Sequence, residues 1–445
     1  LYIFGGGELK GACTPGVIKF PQPQEALYAA CAYAWVGSSP GVCWISPEGP
    51  LTALRRGLLW ALDWGIGIIC FLPSQKEEMP AKAQFSWEGR VSLSSLLQEA
   101  HRASMEGRPG PACVYFKREP ELQAVLEHLK GIRRRPKVPP RDSPPFDLLK
   151  IIEDLQRPLL LVAEGIGDRE EARLFRLGAE ALGIPVLSTL PGLGVFPEDH
   201  PLYLGLVGPW GHPCALKALE ESEALFVWGG NPKIWREVKA LLPPGADLIP
   251  LLPPGQKGEG QVISLGSWRP LLELVAKRSE AFSFSPWRER IKHWRNNCPL
   301  TYDQGLPWLV ERLGEITRGK AVLVAEGEIL SAALHYGYTE PRGCLLPAGY
   351  ALTGFAFPAA LGAALAARSR QIWVLTQGGC RQDILKMARQ LGLPLKVLLL
   401  SQEAGVEGEE GVAALIKAFV SQELFLIQCK YNNQSTLLGR KAEEP

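Results

Sequence analysis

The chain has no Cys-x-x-Cys pair among its ten cysteines, and only six histidines and three methionines in 445 residues. Most cysteines (Cys13, Cys31, Cys43, Cys70, Cys113, Cys214, Cys298, Cys344, Cys380 and Cys429) sit in apolar runs. That excludes a zinc ribbon or a disulfide framework and points to buried thiols in a reducing cytoplasm. A strong charge of either sign is also missing. Lys and Arg number 48 against 46 Asp and Glu, a net +2, so no field selects nucleic acid or a membrane surface. The one basic cluster, "GIRRRPKVPPR", lies among prolines and reads as a solvated linker. No signal peptide stands at the start, and an opening Leu1 leaves room for a missing start segment. The uncharged stretch "ALTGFAFPAALGAALAA" covers 17 residues, 351–367. It is short for a membrane span, and its Ala and Gly suit a tightly packed interior helix.

What is present is a soluble-globular balance, 46% hydrophobic and 21% charged, with length for two or three domains. Proline-rich breaks fall at 133–146 and between 241 and 287. Within each segment apolar runs alternate with helical patterns: "GVCWIS", "LTALRRGLLWALDW", "GIGIICFLP"; then "PLLLVAEG", "REEARLFRLGAEALG", "IPVLSTL"; then "KAVLVAEG", "QIWVLTQGG", "DILKMARQLG", "PLKVLLL". Continuous apolar strands between helices predict parallel sheets covered on both faces. The expected fold is α/β, with three doubly wound parallel-sheet domains. The boundaries are 1–130, a linker at 131–146, 147–278, and 279–445.

The run "LGIPVLSTLPGLGVFPEDHPLYLGLVGPWGHP" (182–213) carries Thr189, Gly192, Gly194, Phe196, Pro197, His200, Pro201, Gly205 and Gly211. At that spacing it resembles the central domain of thiamine-diphosphate enzymes of the acetolactate synthase and pyruvate oxidase type. "GRPGPACVYF" (107–116) resembles the last strand of that family's pyrimidine-binding domain. "LTGFAFPAALGAALA" with "WVLTQGG" resembles the entry to its diphosphate-binding domain. The resemblance spans nearly the whole chain in the family's domain order. It implies a pyrimidine-binding-like, a central and a diphosphate-binding-like domain. It also implies self-association as a dimer or tetramer, or a place in a hetero-complex.

The family's chemistry needs a divalent metal tying the diphosphate to the protein, and a glutamate activating the aminopyrimidine. Matched to the family, the metal turn falls at Thr376-Gln377-Gly378, with Gly379 behind it. The neutral Gln377 stands where relatives have Asp. The second ligand falls at Ser401 or Gln402 in place of Asn. Pro23 stands at the position of the activating glutamate. Glu25 lies two residues on, turned about 200° around a helix, and is expected to point away as an ordinary first-turn acid. Ala325-Glu326-Gly327 replaces the family's Asp-Val-Gly, and Thr353 replaces a cofactor-propping Met. After residue 402 the chain passes almost directly to its last helix, through an acidic loop with Glu403, Glu407, Glu409 and Glu410. His101, His128, His200, His212, His293 and His335 form no ligand pattern. "EGIG" (164–167) and "WGGNP" (228–232) could line an FAD cleft, although packing is the default for such turns.

The resemblance so read implies an acetolactate-synthase-like protein that has lost standard thiamine-diphosphate and magnesium activation. It would serve as a structural or regulatory subunit, or through a repurposed interdomain cleft. No cofactor and no metal are expected. The alternative is an active 2-oxoacid carboligase or decarboxylase with a divergent site, using thiamine diphosphate with Mg, or keeping FAD, with Glu25 or water moving the proton. A third reading is different chemistry in the same cleft.

Overall fold

A computed structural model describes residues 2–7, 16–37, 39–45, 51–73, 79–89, 92–117, 120–131, 146–164, 169–252, 261–265, 267–276, 284–297, 305–401 and 405–430. Three sheets follow one another along the chain, each parallel throughout, as the unbroken apolar runs require. The first holds β1 (Ile3–Gly6), β2 (Val17–Phe20), β3 (Gly41–Ile45), β4 (Ile68–Pro73), β5 (Ala83–Trp87) and β6 (Pro111–Phe116), in the order β2-β1-β3-β4-β6-β5. The second holds β7 (Pro158–Val162), β8 (Val186–Ser188), β9 (Tyr203–Leu206), β10 (Ala224–Trp228), β11 (Asp247–Leu252) and β12 (Ile263–Ser264), in the order β12-β11-β10-β7-β8-β9. The third holds β13 (Val322–Ala325), β14 (Cys344–Leu345), β15 (Ile372–Thr376), β16 (Leu395–Ser401) and β17 (Phe425–Lys430), in the order β14-β13-β15-β16-β17. The α/β expectation of three doubly wound domains holds.

The first and third domains share one core, which Leu193 and Leu206 of the second also join; the second has a core of its own, and the other face of the first sheet packs with its own helices in a third. Two helices of small residues make the fusion. The Pro23–Val36 helix starts with proline at its first position, where no N–H is needed and φ is already helical. It ends at Gly37, whose N–H returns to the Tyr33 carbonyl at 3.0 Å. Its residues from Glu25 to Trp35 are all buried. Its partner is the Ala356–Ala366 helix, the uncharged stretch of the sequence, buried along nearly its whole length. At the crossing a Cβ on Gly362 would stand 2.0 Å from the Ala29 carbonyl oxygen. Only glycine permits that approach. Trp35 Nε1 reaches the Cys344 carbonyl at 3.0 Å, and Arg342 reaches the Gly37 carbonyl at 2.8 Å, fastening the same interface. No helix among the described residues is long and apolar enough to cross a membrane.

The Ser285–Asn297 helix falls in the C-terminal segment drawn from sequence. It nonetheless buries Trp287, Ile291 and Trp294 in the central core, with Trp287 Nε1 donating to the Pro158 carbonyl at 3.2 Å. Cys31, Cys43, Cys70, Cys113, Cys214, Cys344, Cys380 and Cys429 are free thiols; Cys13 and Cys298 lie outside the described residues.

Gly362→Ala tests the crossing. In an exposed helix this change would stabilise by up to about 1 kcal/mol. Here the new methyl meets backbone, so urea denaturation should register a loss of about 1–3 kcal/mol. Gly379→Ala, with nothing within 4 Å of the new Cβ, should leave the midpoint nearly unchanged.

Candidate functional site

The turn after β15 lies at the C-terminal edge of the third sheet, where ligands bind in open α/β sheets. Gly378 and Gly379 are exposed and Gln377 is half-buried. Gly378 N–H donates to Thr376 Oγ1 at 3.0 Å, and that hydroxyl donates to Glu326 Oε1 at 3.2 Å. The other carboxylate oxygen, Glu326 Oε2, accepts from Ala356 N at 3.1 Å, at the first turn of the Ala356–Ala366 helix. The protein's own anion thus satisfies that helix N-terminus and, through Thr376, braces the turn. Gln377 lies against Gly327, its Oε1 being 3.7 Å from where a Cβ would be. Ser401 ends β16 on the same edge, since β15 and β16 pair Thr376 with Leu399. Gln402 and Glu403 lie outside the described residues. Glu407 stands at the N-cap of the Gly408–Val420 helix, and Glu409 and Glu410 lie in its first turn; all three are exposed, but they open a helix where the sequence suggested a loop. Thr353 is exposed as well.

Glu25 corrects an expectation. It does not point away. It is 4% exposed, at the third helical position, where it accepts from Gln22 N at 3.4 Å. Its Oε1 pairs with Arg381 of the C-terminal domain, two residues beyond the Gly-Gly turn. Arg381 also chelates Asp383, through Nε at 2.9 Å and Nη2 at 2.7 Å. The guanidinium offsets the cost of burying the Glu25 charge, which is why a first-turn acid tolerates an interface. Hydrogen bonding to Arg381 lowers the Asp383 carboxyl. Pro23, at the first helical position, is buried, and Gly6 packs on its Cα so closely that a Cβ there would stand 2.5 Å away.

A second constellation occupies the central sheet's crevice. β7 and β10 are neighbours at the point where the strand order reverses. Such a switch point is the usual ligand crevice. "EGIG" follows β7 and "WGGNP" follows β10, and Asn231 Nδ2 joins them by donating to Glu164 Oε1 at 3.1 Å. Residues 165–168 lie outside the described residues. What enters the crevice is Arg108 of the N-terminal domain. Its Nε and Nη2 reach Glu164 Oε1 at 3.0 and 2.8 Å, and its Nη1 and Nη2 reach the Leu62 and Asp63 carbonyls at 2.6 Å each. Glu164 is 1% exposed, and its Oε2 is buried without a partner. Burial pushes its carboxyl up, against the lowering pull of Arg108. Beside it Asp63 Oδ2 takes both Lys233 Nζ of the central domain, at 2.7 Å, and the Tyr350 hydroxyl of the C-terminal domain, at 2.5 Å. All three domains meet on that carboxylate. Burial, and then Asp63, push the Tyr350 phenol up.

Among the described residues no group of three His, Cys, Asp or Glu side chains could hold a metal ion. Sequence reasoning missed Arg108, Asp63, Lys233, Tyr350 and Arg381. Arg108 and Asp63 stand inside the stretches "GRPGPACVYF" and "LTALRRGLLWALDW", and Arg381 just beyond "WVLTQGG", but nothing local in those stretches names their partners.

Comparison with known proteins matches residues 147–248 to the thiamine pyrophosphate enzyme central domain. Residues 327–404 match the C-terminal TPP binding domain of the same enzymes. Two of the chain's three domains thus carry matches to thiamine pyrophosphate enzyme domains. The chain is similar to the acetolactate synthase large subunit of Corynebacterium glutamicum, 27% identical over 423 residues, which is 85% of this chain and 67% of that protein. It is 26% identical to the chloroplastic acetolactate synthase of Arabidopsis thaliana over 428 residues, 85% of this chain and 63% of the relative. It is 28% identical to the acetolactate synthase of Mycobacterium leprae over 449 residues, 90% of this chain and 70% of the relative. The chain therefore spans about two thirds of the length of these relatives. Glu326 opens the C-terminal domain's stretch, one residue before the match begins, and the Gly378–Gly379 turn lies inside it.

In this thiamine pyrophosphate enzyme fold the Arg108–Glu164 pair ties the N-terminal domain to the central one, and it is buried on the Glu164 side. Arg108→Ala leaves a carboxylate in a dry crevice with Asn231 alone. The loss in urea denaturation should be about 3 kcal/mol, the low end for breaking a buried pair because Arg108 keeps some solvent contact. Adding Glu164→Gln removes the stranded charge and should recover part of that loss. A double variant no more stable than the single one means that the charge is not what the pair neutralises.

Proposed function

We propose that this chain is an acetolactate-synthase-like scaffold that does not take up thiamine pyrophosphate with magnesium in the ordinary way. It acts as a structural or regulatory subunit, or through a repurposed cleft between its domains. The observation that carries this reading is the Glu326 carboxylate. It accepts from the first N–H of the Ala356–Ala366 helix, beside the Gly378 turn, and adds negative charge there. Around that turn stand the carboxylates of Glu326, Glu25 and Asp383; Arg381 pairs with the last two, and Arg56 and Arg389 act from farther off. A diphosphate entering there meets repulsion unless a dication is held with it. Gln377 supplies only a neutral oxygen for that dication. These residues do not fit the magnesium-bound cofactor, and no catalytic step is assigned to it. The crevice of the central domain, filled by Arg108 and floored by a carboxylate, likewise does not suit the phosphates of FAD. Self-association belongs to this reading, and sedimentation at micromolar concentration should find more than a monomer.

One observation favours the second reading, an active 2-oxoacid carboligase or decarboxylase with a divergent site. The Gly378–Gly379 turn stays open, and the buried Glu25 carboxylate sits in the domain interface beside it.

Thermal denaturation and titration calorimetry separate the two. A ligand at 100 times its Kd adds about 2.7 kcal/mol to folding stability. Millimolar thiamine pyrophosphate with magnesium should produce no such shift. A shift that a chelator abolishes would return the protein to the active reading. Gln377→Asp with Ser401→Asn should then gain metal-dependent binding, because the glycine turn still offers backbone N–H groups. Turnover should stay absent, since Pro23 remains where the activating carboxylate belongs.

A further inference from the structure

The stretch 194–200 of the central domain lies on residues 338–340 of the C-terminal domain. Glu198 N donates to the Tyr338 carbonyl at 3.3 Å. Gly194, at φ 79°, comes so near that a Cβ on it would stand 2.1 Å from the Glu340 carbonyl oxygen. The Glu198 side chain enters this joint. The residue as a whole is half-buried, but its Oε1 is shut off from solvent and has no hydrogen-bond partner. No ion pair is made by Glu198 among the described residues.

The groups facing it are neutral or of like sign. From its own domain comes the Tyr203 phenol, hydrogen-bonded to Ser188 Oγ at 2.7 Å. From the C-terminal domain come the Tyr338 phenol, which donates to the Ala333 carbonyl at 3.1 Å, and the Cys344 thiol on β14. Burial pushes all three up, so none supplies charge near neutral pH. Asp199 adds a second negative charge, and only a backbone hydrogen bond from Tyr338 favours the carboxylate. Glu340 is paired with Arg169 at 2.6 Å. His335 is held down to about 4 by burial and by His212, so it brings no positive charge here.

An ionised carboxylate in such a place costs several times what a carboxylic acid does. We propose that Glu198 is a proton-operated catch between the central and C-terminal domains: the joint closes on the carboxylic acid and loosens when the proton leaves.

Burial, as the first cause, pushes the Glu198 carboxyl from its ordinary 4.5 up to about 8. Between those values the closed joint keeps a proton that the open one has lost. Closure therefore weakens as pH rises through that window, and the full loss is reached above about 8. From this shift, closure should be about thirtyfold weaker at pH 9 than at pH 6.5. The inference is independent of whether a cofactor binds at the Gly378 turn.

Hydrogen–deuterium exchange of the full chain at about pH 6.5 and about pH 9, corrected for intrinsic rates, tests it. Peptides covering 194–200 and 338–346 should lose protection by tenfold or more at the higher pH. Peptides on β10 and β15 should not. In Glu198→Gln, which cannot ionise, the pH-dependent loss should vanish. Equal protection at both pH values overturns the proposal, as does the same loss in the Gln variant. Should that variant fail to fold, a carbon-13 titration of the Glu198 carboxyl in the unaltered chain decides. A midpoint near 8 supports the catch and a midpoint near 5 ends it.

Discussion

Two helices of small residues, one from each end of the chain, approach until a backbone carbonyl of one meets a glycine of the other. The rest of the architecture is arranged around that approach. Ala29 and Gly362 are 333 positions apart in sequence, yet they bring the first and third domains into a single core. Apolar contact of this kind is non-directional and does not titrate. The central domain is attached differently. Besides Leu193 and Leu206, which reach into the shared core, it meets its neighbours through polar groups: Arg108 on Glu164, Lys233 on Asp63, and Glu198 against Tyr338. Polar joints depend on geometry and protonation. The molecule therefore has one seam held by packing and others held by charge.

The same approach decides what stands near the Gly378–Gly379 turn. Because the Pro23–Val36 helix lies on the Ala356–Ala366 helix, its first turn delivers Glu25 to Arg381. The N-terminus of the second helix is meanwhile capped by Glu326. The Ala356 and Gly378 N–H groups are thus met from within the protein. The turn lies inside the stretch matched to the C-terminal TPP binding domain, and side chains from both end domains set the charge around it.

The fold was largely legible in the sequence. Runs such as "GVCWIS", "PLLLVAEG" and "QIWVLTQGG" are apolar on both faces and became β3, β7 and β15. The alanine-rich stretch became an interior helix, since its glycine admits another backbone where a membrane segment would present bulk. The site was legible only where residues are adjacent in sequence, as in the Thr376–Gly379 turn. Glu25 was misjudged because rotation about a helix gives direction relative to its own axis and says nothing of what packs there. A buried acid without a visible local cation reads as exposed. Its cation, Arg381, lies 356 residues away. The three-domain meeting at Asp63 was invisible for the same reason, and so was the helix with Trp287 and Trp294. Its amphipathic pattern announces a core face without naming which core.

The shared core of the two end domains bears on how the chain is made. During synthesis the Pro23–Val36 helix emerges some 330 residues before the Ala356–Ala366 helix. At about 5–20 residues per second, the first helix waits on the order of 15–70 s with its alanine face uncovered. The central domain has a core of its own and can close in that interval. One face of the N-terminal sheet can pack with its own helices at once, while the other reaches its final packing only after the Ala356–Ala366 helix has been made. That makes the uncovered alanine face the segment most in need of a chaperone's cover.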